Sequence, residues 1–383
     1  MRKQSYYETL LLNVYQVNGI TSMIKSLVKF AVFIVFISII SAGAGCSRKE
    51  QKMQPPDIKM ITRENLHGVI APDDNNIWIT GGYGTIYHST DSGKSWAKQD
   101  SGEKETTICD GIFLNASIGW VVGINGTILH TTNGGKTWTR QNTGTKKHLF
   151  GITFVDKNNG WAVGEWGTVI HTTDGGATWS SQHKEMDKSF NNIFFVDTQN
   201  GWLVGERGTL LHTTDGGATW NPQTPKAFER ASLEEQLENP PPSLFGVCFS
   251  DKNTGWACGI PGTIIKTTDG GTTWEVLPTG TKHTLYTIFI KYGKGWAVGD
   301  KGTYLMSNDG GNTWSLPEEA IKAKQPFRDV YFSSAHQGWV VGAGGLVVHT
   351  EDGGKTWQFR SGLSYAMKFF EMPKGLEFGG GIE

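Results

Sequence analysis

The chain has 383 residues, a formal net charge of −1 at pH 7, and 51 glycines against only 13 prolines. This composition is typical of a globular protein and excludes a collagen-like or mostly disordered chain. Because a near-neutral chain offers no basic footprint, we expect no binding of nucleic acid.

The N-terminal region has the three parts of a secretion signal. Lys25 and Lys29 form the basic region, an apolar run follows at 30–40, and small residues at 41–45 then lead to Cys46. The apolar run is too short to cross a bilayer comfortably, which takes about 20 residues. The pattern resembles a bacterial lipoprotein signal, in which the cysteine carries the lipid; an ordinary cleaved signal or an uncleaved short anchor are the alternatives.

We therefore predict a signal region over residues 1–45, in which Met23 is an alternative start. Residues 46–62 then comprise the lipidated Cys46 and a polar, proline-containing tether. These features predict an exported lipoprotein that is anchored in a membrane and faces the periplasm or the outer surface.

A repeated unit of about 41 residues fills most of the remaining chain. Each copy has two tryptophans 18 residues apart, and the first of each pair is Trp78, Trp120, Trp161, Trp202, Trp256, Trp296 or Trp339. Within a copy, four short segments favour strands and are separated by glycine, asparagine or aspartate turns. We predict an all-β, seven-bladed β-propeller of four-stranded blades over residues 63–360, followed by a C-terminal tail over residues 361–383.

The turn before each second tryptophan is an Asp-box, as in TTDGGATW at 172–179. The aspartate oxygen can accept backbone N–H groups across its own turn, and glycine tolerates a left-handed conformation. We therefore interpret Asp174 and its equivalents as structural rather than catalytic or metal-binding.

Five histidines share one position in the predicted third strands: His88, His130, His171, His212 and His349. Strands about 4.8 Å apart place equivalent atoms of neighbouring blades over ~10 Å apart, whereas a metal needs donors at ~2 Å. We interpret these histidines as scaffold or surface residues and predict no metal and no cofactor. Cys248 and Cys258 flank a predicted hairpin opposite one another, which leaves open a disulfide or two buried thiols.

The copies differ most in the residue pair between the second and third strands, and blade 1 is expected to shorten this loop to Tyr83. In propellers that share the Asp-box, this loop lies on the ligand face, opposite the Asp-boxes. Variable loops often carry function, although ordinary solvated loop tips are the alternative. The predicted partner-binding residues are Trp166, Arg207, Glu165, Glu206, Asp300 and Lys301. An insertion at 226–242 with a short helical pattern lies beside Arg207 and is either a docking element or a tolerated surface insertion.

Seven copies of the pattern GWAVGxxGTIxxTTDGGxTW resemble the photosystem II stability/assembly factor family. The resemblance implies a non-catalytic, exported propeller that acts as a protein-binding or assembly factor for a membrane-associated complex, as in photosynthesis. It implies subunits of such a complex as partners, besides the membrane that the lipid anchor would contact. We expect the protein to be a monomer.

Sialidases and other glycoside hydrolases also contain Asp-boxes. A sialidase needs three arginines that hold the substrate carboxylate, a tyrosine nucleophile with a glutamate partner, and an acid/base aspartate. The exported part has few arginines, and no Phe/Tyr-Arg-Ile-Pro signature precedes the first Asp-box. We predict no catalytic residues; a sialidase-like or other glycoside hydrolase, or a carbohydrate-binding propeller, is the alternative function.

Overall fold

Short strands separated by glycine- and asparagine-rich turns account for most of the regular structure. The computed structural model describes residues 61–182, 186–317, 321 and 323–361. Second strands such as Gly160–Gly164 are buried along their whole length because neighbouring blades cover both of their faces. The tryptophan, valine and alanine residues in these strands fill the space between blades.

Each blade is a sheet of consecutive antiparallel strands. Blades 1 to 3 contain β1 (Leu66–Ile70), β2 (Ile77–Gly81), β3 (Ile86–Ser89), β4 (Ala97–Gln99), β5 (Ile108–Phe113), β6 (Gly119–Gly123), β7 (Thr127–Thr131), β8 (Thr139–Arg140), β9 (Leu149–Phe154), β10 (Gly160–Gly164), β11 (Val169–Thr172) and β12 (Ser180–Ser181). Blades 4 and 5 contain β13 (Phe190–Phe195), β14 (Gly201–Gly205), β15 (Leu210–Thr213), β16 (Asn221–Pro222), β17 (Leu244–Phe249), β18 (Gly255–Gly259), β19 (Thr263–Thr267) and β20 (Glu275–Leu277). Blades 6 and 7 contain β21 (Leu285–Lys291), β22 (Lys294–Gly299), β23 (Tyr304–Ser307), β24 (Phe327–Phe332), β25 (Gly338–Gly342), β26 (Leu346–Thr350) and β27 (Gln358–Ser361).

Blade 6 differs from the others in its outer edge. Three strands are regular there, and a single bridge between Met306 and Ser315 marks the fourth position. The predicted seven-bladed β-propeller is thus confirmed.

The insertion between blades 4 and 5 forms the 3-10 turn Lys226–Phe228 and one short helix, α1 (Leu233–Glu238). None of the helices in the described part of the chain has the length and apolar character needed to cross a bilayer.

The first strands of the blades lie side by side around the central channel, and β24 of blade 7 packs against β1 of blade 1 to close the ring. No strand is shared between these two blades in the described residues. Their contact is instead strengthened by hydrogen bonds such as the one from the backbone N–H of Val69 to Oδ2 of Asp329, at 2.8 Å. Asp110 accepts the N–H of Ile152 at 3.1 Å in the same way between blades 2 and 3.

The two faces of the ring carry different turns. The Asp-boxes contact the first hairpin turn of their own blade, as in the hydrogen bond from Gly175 N to Asn158 O. The loops between second and third strands contact the connections between blades, as in the hydrogen bond from Gly167 N to Lys188 O. We call these two sides the Asp-box face and the loop face.

A stack of four rings fills the space between neighbouring blades. Between blades 2 and 3, the Trp120 ring lies between His130 on one side, at 4.6 Å, and Phe154 on the other, at 3.7 Å. Phe154 in turn meets the second tryptophan of its blade, Trp179, edge to face. The Nε1 of Trp120 donates to the Asp-box carbonyl of Gly175 in the next blade, at 3.0 Å. The repeated histidines that stack in this way are therefore scaffold residues.

The Asp-box turns are held by side-chain hydrogen bonds of their own. Oδ1 of Asp174 accepts the N–H of Thr178 at 2.9 Å, and Oδ2 accepts the Thr178 hydroxyl at 2.7 Å. The hydroxyl of Thr172 donates to Asp174 and accepts the N–H of Gly176. Hydrogen bonds from the backbone and side chain of Thr178 stabilise the ionised carboxylate and lower the pKa of Asp174 to about 2. Asp174 thus has a structural role in its own turn.

The two cysteines of blade 5 are buried thiols rather than a disulfide. The strand register places Cys248 opposite Trp256, and Cys258 opposite Gly246. The two cysteines are therefore offset by two residues along the strands, and the expectation that they lie directly opposite one another was wrong. Burial raises the pKa of Cys248 to about 12, which keeps its thiol protonated and unreactive.

Candidate partner-binding face

The loop face presents a projecting residue in a shared backbone conformation in six of the seven blades. The loop between second and third strands has a residue at positive φ in the same place in these six: Gly344 in blade 7, and the non-glycine residues Tyr83, Asn125, Trp166, Arg207 and Lys301. In blade 5 this place is taken by Pro261, which follows a cis peptide bond with Ile260. Blade 1 has the same loop length as the others, because Gly81 N donates to Thr85 O just as Gly164 N donates to Thr168 O. The expected shortening of this loop was wrong: Gly82 occupies the first variable position and Tyr83 the second.

The glycine after each projecting residue is required by the close approach of the next connection. At Gly126, where φ is +66°, a Cβ atom would lie 2.0 Å from the carbonyl oxygen of Thr145. The equivalent glycine of blade 3, Gly167, donates its N–H to Lys188 O at 2.7 Å. These contacts fix the backbone of each loop, so the side chain before the glycine can vary without disturbing the blade.

Trp166 projects from the loop of blade 3 and is 49% exposed. Its ring lies near the ammonium group of Lys147, which is 5.9 Å from the ring centroid. Its carbonyl accepts the N–H of Met186 at 3.1 Å, so the connection to blade 4 runs directly beside it. A half-exposed tryptophan on a fixed backbone is a suitable anchor for a protein interface.

Arg207 projects from the same position in blade 4, and 54% of its side chain is exposed. Its guanidinium donates to the carbonyl of Asp187 at 3.3 Å and lies 3.5 Å from that carboxylate, which is itself highly exposed. Asp187 follows Met186 in the chain, so Trp166 and Arg207 both contact the same short connection. The two residues thus belong to one continuous patch, which we call the Trp166–Arg207 patch.

The neighbouring glutamates hold backbone in place. Oε1 of Glu165 accepts the N–H of His148 at 2.9 Å, and Oε2 of Glu206 accepts the N–H of Ser189 at 3.1 Å. Each carboxylate therefore fixes the start of the first strand in its blade, a role that residue type alone did not reveal. In blade 6 the corresponding turn Asp300–Gly302 presents Lys301, which is exposed.

The insertion at 226–242 borders the patch. Phe228 is buried among the core residues of blades 4 and 5, and this anchors the insertion to the ring. The guanidinium of Arg230 donates to the carbonyls of Asn239, Ala227 and Glu229, which holds the two ends of the insertion together. Leu237 on helix α1 is 76% exposed. A cavity of about 270 Å³ lies between the insertion and blade 5, and its walls include Arg207, Arg230, Pro240, Pro241, Ile260 and Pro261.

Tyr83 is the projecting residue that sequence reasoning underrated. It is 66% exposed, more than Trp166, and adopts the same positive φ. Aligning Gly81 with Gly123, rather than assuming a shorter loop, would have identified it.

In the described residues, no group of three or more histidine, cysteine, aspartate or glutamate side chains is arranged to hold a metal ion. Cys46 lies outside the described residues.

The solved structures that resemble this chain are propellers with different functions. A structure described as YCF48 bound to D1 peptide matches with a TM-score of 0.63 and 20% identity, over 76% of this chain and 95% of the other. YCF48 from Cyanidioschyzon merolae matches with a TM-score of 0.62 and 20% identity, over 77% and 98% of the two chains. A GH74 xyloglucanase from Xanthomonas campestris matches with a TM-score of 0.62 and 13% identity, over 79% of this chain and 55% of the other. At these identities the likenesses show the fold alone.

The family is identified by sequence. A search of curated proteins found no match. The family model described as photosynthesis system II assembly factor YCF48 matches residues 102–185, 138–224, 179–284, 224–316 and 277–368, which together cover more than half of the chain. This chain therefore belongs to the YCF48 family of photosystem II assembly factors.

Proposed function

We propose that this protein is a non-catalytic binding or assembly factor that holds a subunit of a membrane-associated complex on its loop face. The observation that carries the proposal is the Trp166–Arg207 patch. Both side chains are about half exposed, both are held on fixed backbone, and both contact the connection at 186–188. Tryptophan and arginine are the residues most enriched among the energetic anchors of interfaces.

Three of the six described arginines are engaged in local contacts, which supports binding over sialidase-like catalysis. Arg140 pairs with Glu103 in blade 2, and Arg360 lies 3.7 Å from Glu351 in blade 7. Arg230 is occupied with backbone carbonyls in the insertion. These three guanidinium groups thus serve separate local contacts, whereas a sialidase needs three that converge on one carboxylate.

The family supports a partner of membrane origin. One solved YCF48 structure holds a D1 peptide. By analogy, we propose that the partner of this chain is a segment of a membrane-protein subunit, and that the lipid on Cys46 keeps the propeller near it. Export and anchoring rest on the signal-like pattern before Cys46.

Co-purification from membranes of the source organism tests the proposal. A Trp166→Ala, Arg207→Ala double variant should reduce recovery of the membrane partner at least tenfold, because truncation of an interface anchor costs on the order of 2 kcal/mol or more. The thermal midpoint should stay nearly unchanged, since both side chains project from loop tips.

Asn125→Ala is the matched control, because Asn125 is an exposed residue at the same positive-φ position in blade 2. It should retain the partner. If the double variant retains the partner as well as this control does, the loop face is not the binding face. If the wild-type protein instead binds xyloglucan or another glycan, and the double variant loses that binding, the carbohydrate-binding alternative is correct.

A further inference from the structure

Each innermost strand has one bulged residue at the loop-face end of the central channel. The register skips this residue where the first strand lies opposite the end of the second, as it skips Arg328 between Phe327 and Asp329. The guanidinium of Arg328 lies over the ring of Tyr286, the bulged residue of blade 6, with Cζ 4.4 Å from the ring centroid. Tyr286 in turn meets Phe245 of blade 5 edge to face, at 5.7 Å. We call the seven bulged residues the bulge ring: His67, Cys109, Phe150, Asn191, Phe245, Tyr286 and Arg328.

Arg328 carries the only charge of the bulge ring at neutral pH. None of the other six residues is an aspartate, a glutamate or a lysine. Burial, together with the positive charge of Arg328, lowers the pKa of His67 to about 4, so His67 is neutral. The carboxylate that follows Arg328 in the chain, that of Asp329, is engaged by the backbone N–H groups of Val69 and Val330, each at 2.8 Å. The ring thus presents one positive charge beside aromatic side chains.

The guanidinium of Arg328 has no acceptor among the described residues. Its Nε atom is buried without a partner, whereas its two Nη groups are not among the buried atoms that lack one. Since no described residue bonds to these Nη groups, they are open to the channel. A partly buried cation without an anion is unfavourable, and a carboxylate that reaches the Nη groups would offset this cost.

The surroundings of the guanidinium select the kind of anion. A phosphate group brings nearly two negative charges at neutral pH, whereas the bulge ring offers one positive charge and so matches a monoanion. Tyr286 lies under the guanidinium, and Phe245 extends the same aromatic wall. Sites that combine an apolar wall with a single well-placed charged group suit ligands that have an apolar body and one polar end.

We propose that the bulge ring is a binding site for a carboxylate that is attached to an apolar group. The carboxylate pairs with the Nη groups of Arg328, and the apolar group lies against the wall of Tyr286 and Phe245. Two sources share this chemistry: a small organic acid, and the free C-terminal residue of another protein chain. The site uses no residue of the Trp166–Arg207 patch, so each can fail without the other.

Ligand-observed NMR titration of the purified protein with phenylacetate tests the proposal. Phenylacetate should bind with a Kd on the order of 1 mM, and its uncharged counterpart phenylacetamide at least tenfold more weakly. Arg328→Met should weaken the binding of phenylacetate at least tenfold, because methionine keeps an unbranched apolar side chain without the charge. The thermal midpoint of this variant should be no lower than that of the wild-type protein, since the charge that it removes has no partner to leave behind.

Lys282→Met is the matched control, because Lys282 is exposed in the connection between blades 5 and 6 and lies outside the bulge ring. It removes the same charge and should leave the binding of phenylacetate unchanged. Equal affinity for phenylacetate and phenylacetamide would overturn the proposal, as would unchanged binding in Arg328→Met or equally strong competition by inorganic phosphate. A lower thermal midpoint of Arg328→Met would also overturn it, because Arg328 would then belong to the scaffold through its stacking on Tyr286.

A short peptide that ends in phenylalanine with a free carboxylate distinguishes the two sources. If it binds more tightly than phenylacetate, the site is assigned to a chain terminus. If it binds more weakly, the site is assigned to a small organic acid. In either case its C-terminal amide should lose the binding, and so should Arg328→Met; retention of binding by the amide would contradict the role of the carboxylate.

Discussion

Replacing Trp161 with phenylalanine tests whether hydrogen bonds between blades stabilise the ring. Trp161 is fully buried, and its Nε1 donates to the carbonyl of Gly216 in the next blade at 2.9 Å. In blade 3 the Nε2 of Gln182 lies 3.0 Å from Nδ1 of His171, so it is directed away from that carbonyl. Phenylalanine can keep the ring stack on Phe195, but the Gly216 carbonyl loses its indole donor.

Trp78→Phe is the matched substitution because Trp78 is equally buried and stacks in the same way, on His88 and Phe113. Its Nε1, however, has no acceptor in the described residues. Both substitutions remove the same apolar volume, so this contribution largely cancels. A buried carbonyl that loses its donor costs about 1–3 kcal/mol, and we therefore expect Trp161→Phe to lose about 1–3 kcal/mol more than Trp78→Phe.

Urea unfolding with equal m-values measures this difference. Trp120→Phe should fall between the two variants, because Gln141 still donates to the carbonyl that Trp120 would leave, that of Gly175. An equal or larger loss in Trp78→Phe would refute the reasoning. The ring would then be stabilised by stacking and apolar burial, with no measurable contribution from the indole hydrogen bonds.

Three further predictions concern pH, the N-terminus and catalysis. Burial raises the pKa of Asp329 to about 7 and that of Asp110 to about 6, so their contribution to stability is full below about pH 4 and is lost as the pH rises through 6 to 7. Urea midpoints of the wild-type protein should therefore fall between about pH 4 and 7 relative to an Asp110→Asn, Asp329→Asn variant; parallel pH profiles would contradict this assignment. Mass spectrometry of the mature protein should find lipid on Cys46, and an unmodified thiol would mean anchoring by another route. The purified protein should not hydrolyse a sialoside or a β-glucan; turnover that is lost on mutation of a single carboxylate would make it an enzyme.

The blades and their turns could be predicted from the sequence because both depend on local chemistry. An Asp-box such as 172–179 is held by hydrogen bonds among its own hydroxyl, carboxylate and glycine N–H groups. The spacing of the two tryptophans in each copy is set by the strands and turns that lie between them. The position of Trp166 on the loop face could be predicted for the same reason. The residue at this position varies between copies, while the glycines on either side of the variable pair do not.

The environment of Arg328 could not be predicted because the innermost strands do not alternate regularly. In β24 the register shifts between Phe327 and Asp329, which places Arg328 in a bulge. A bulge breaks the two-residue period from which the direction of a side chain is inferred. The backbone contacts of Glu165 and Glu206 were missed for a different reason. The N–H groups that their carboxylates accept lie 17 residues earlier in the chain, just before the first strand of each blade.

The meeting of the first and last blades has a consequence for how the chain can be rearranged. Every blade is built from one contiguous segment, and the backbone N–H of Ile61 donates to the hydroxyl of Ser361 at 3.0 Å. A short linker between these two residues should therefore permit circular permutants, with new termini placed in any connection between blades. Since no sheet among the described residues is completed by a distant strand, whole blades can also be duplicated or deleted in evolution without changing the pairing of the others.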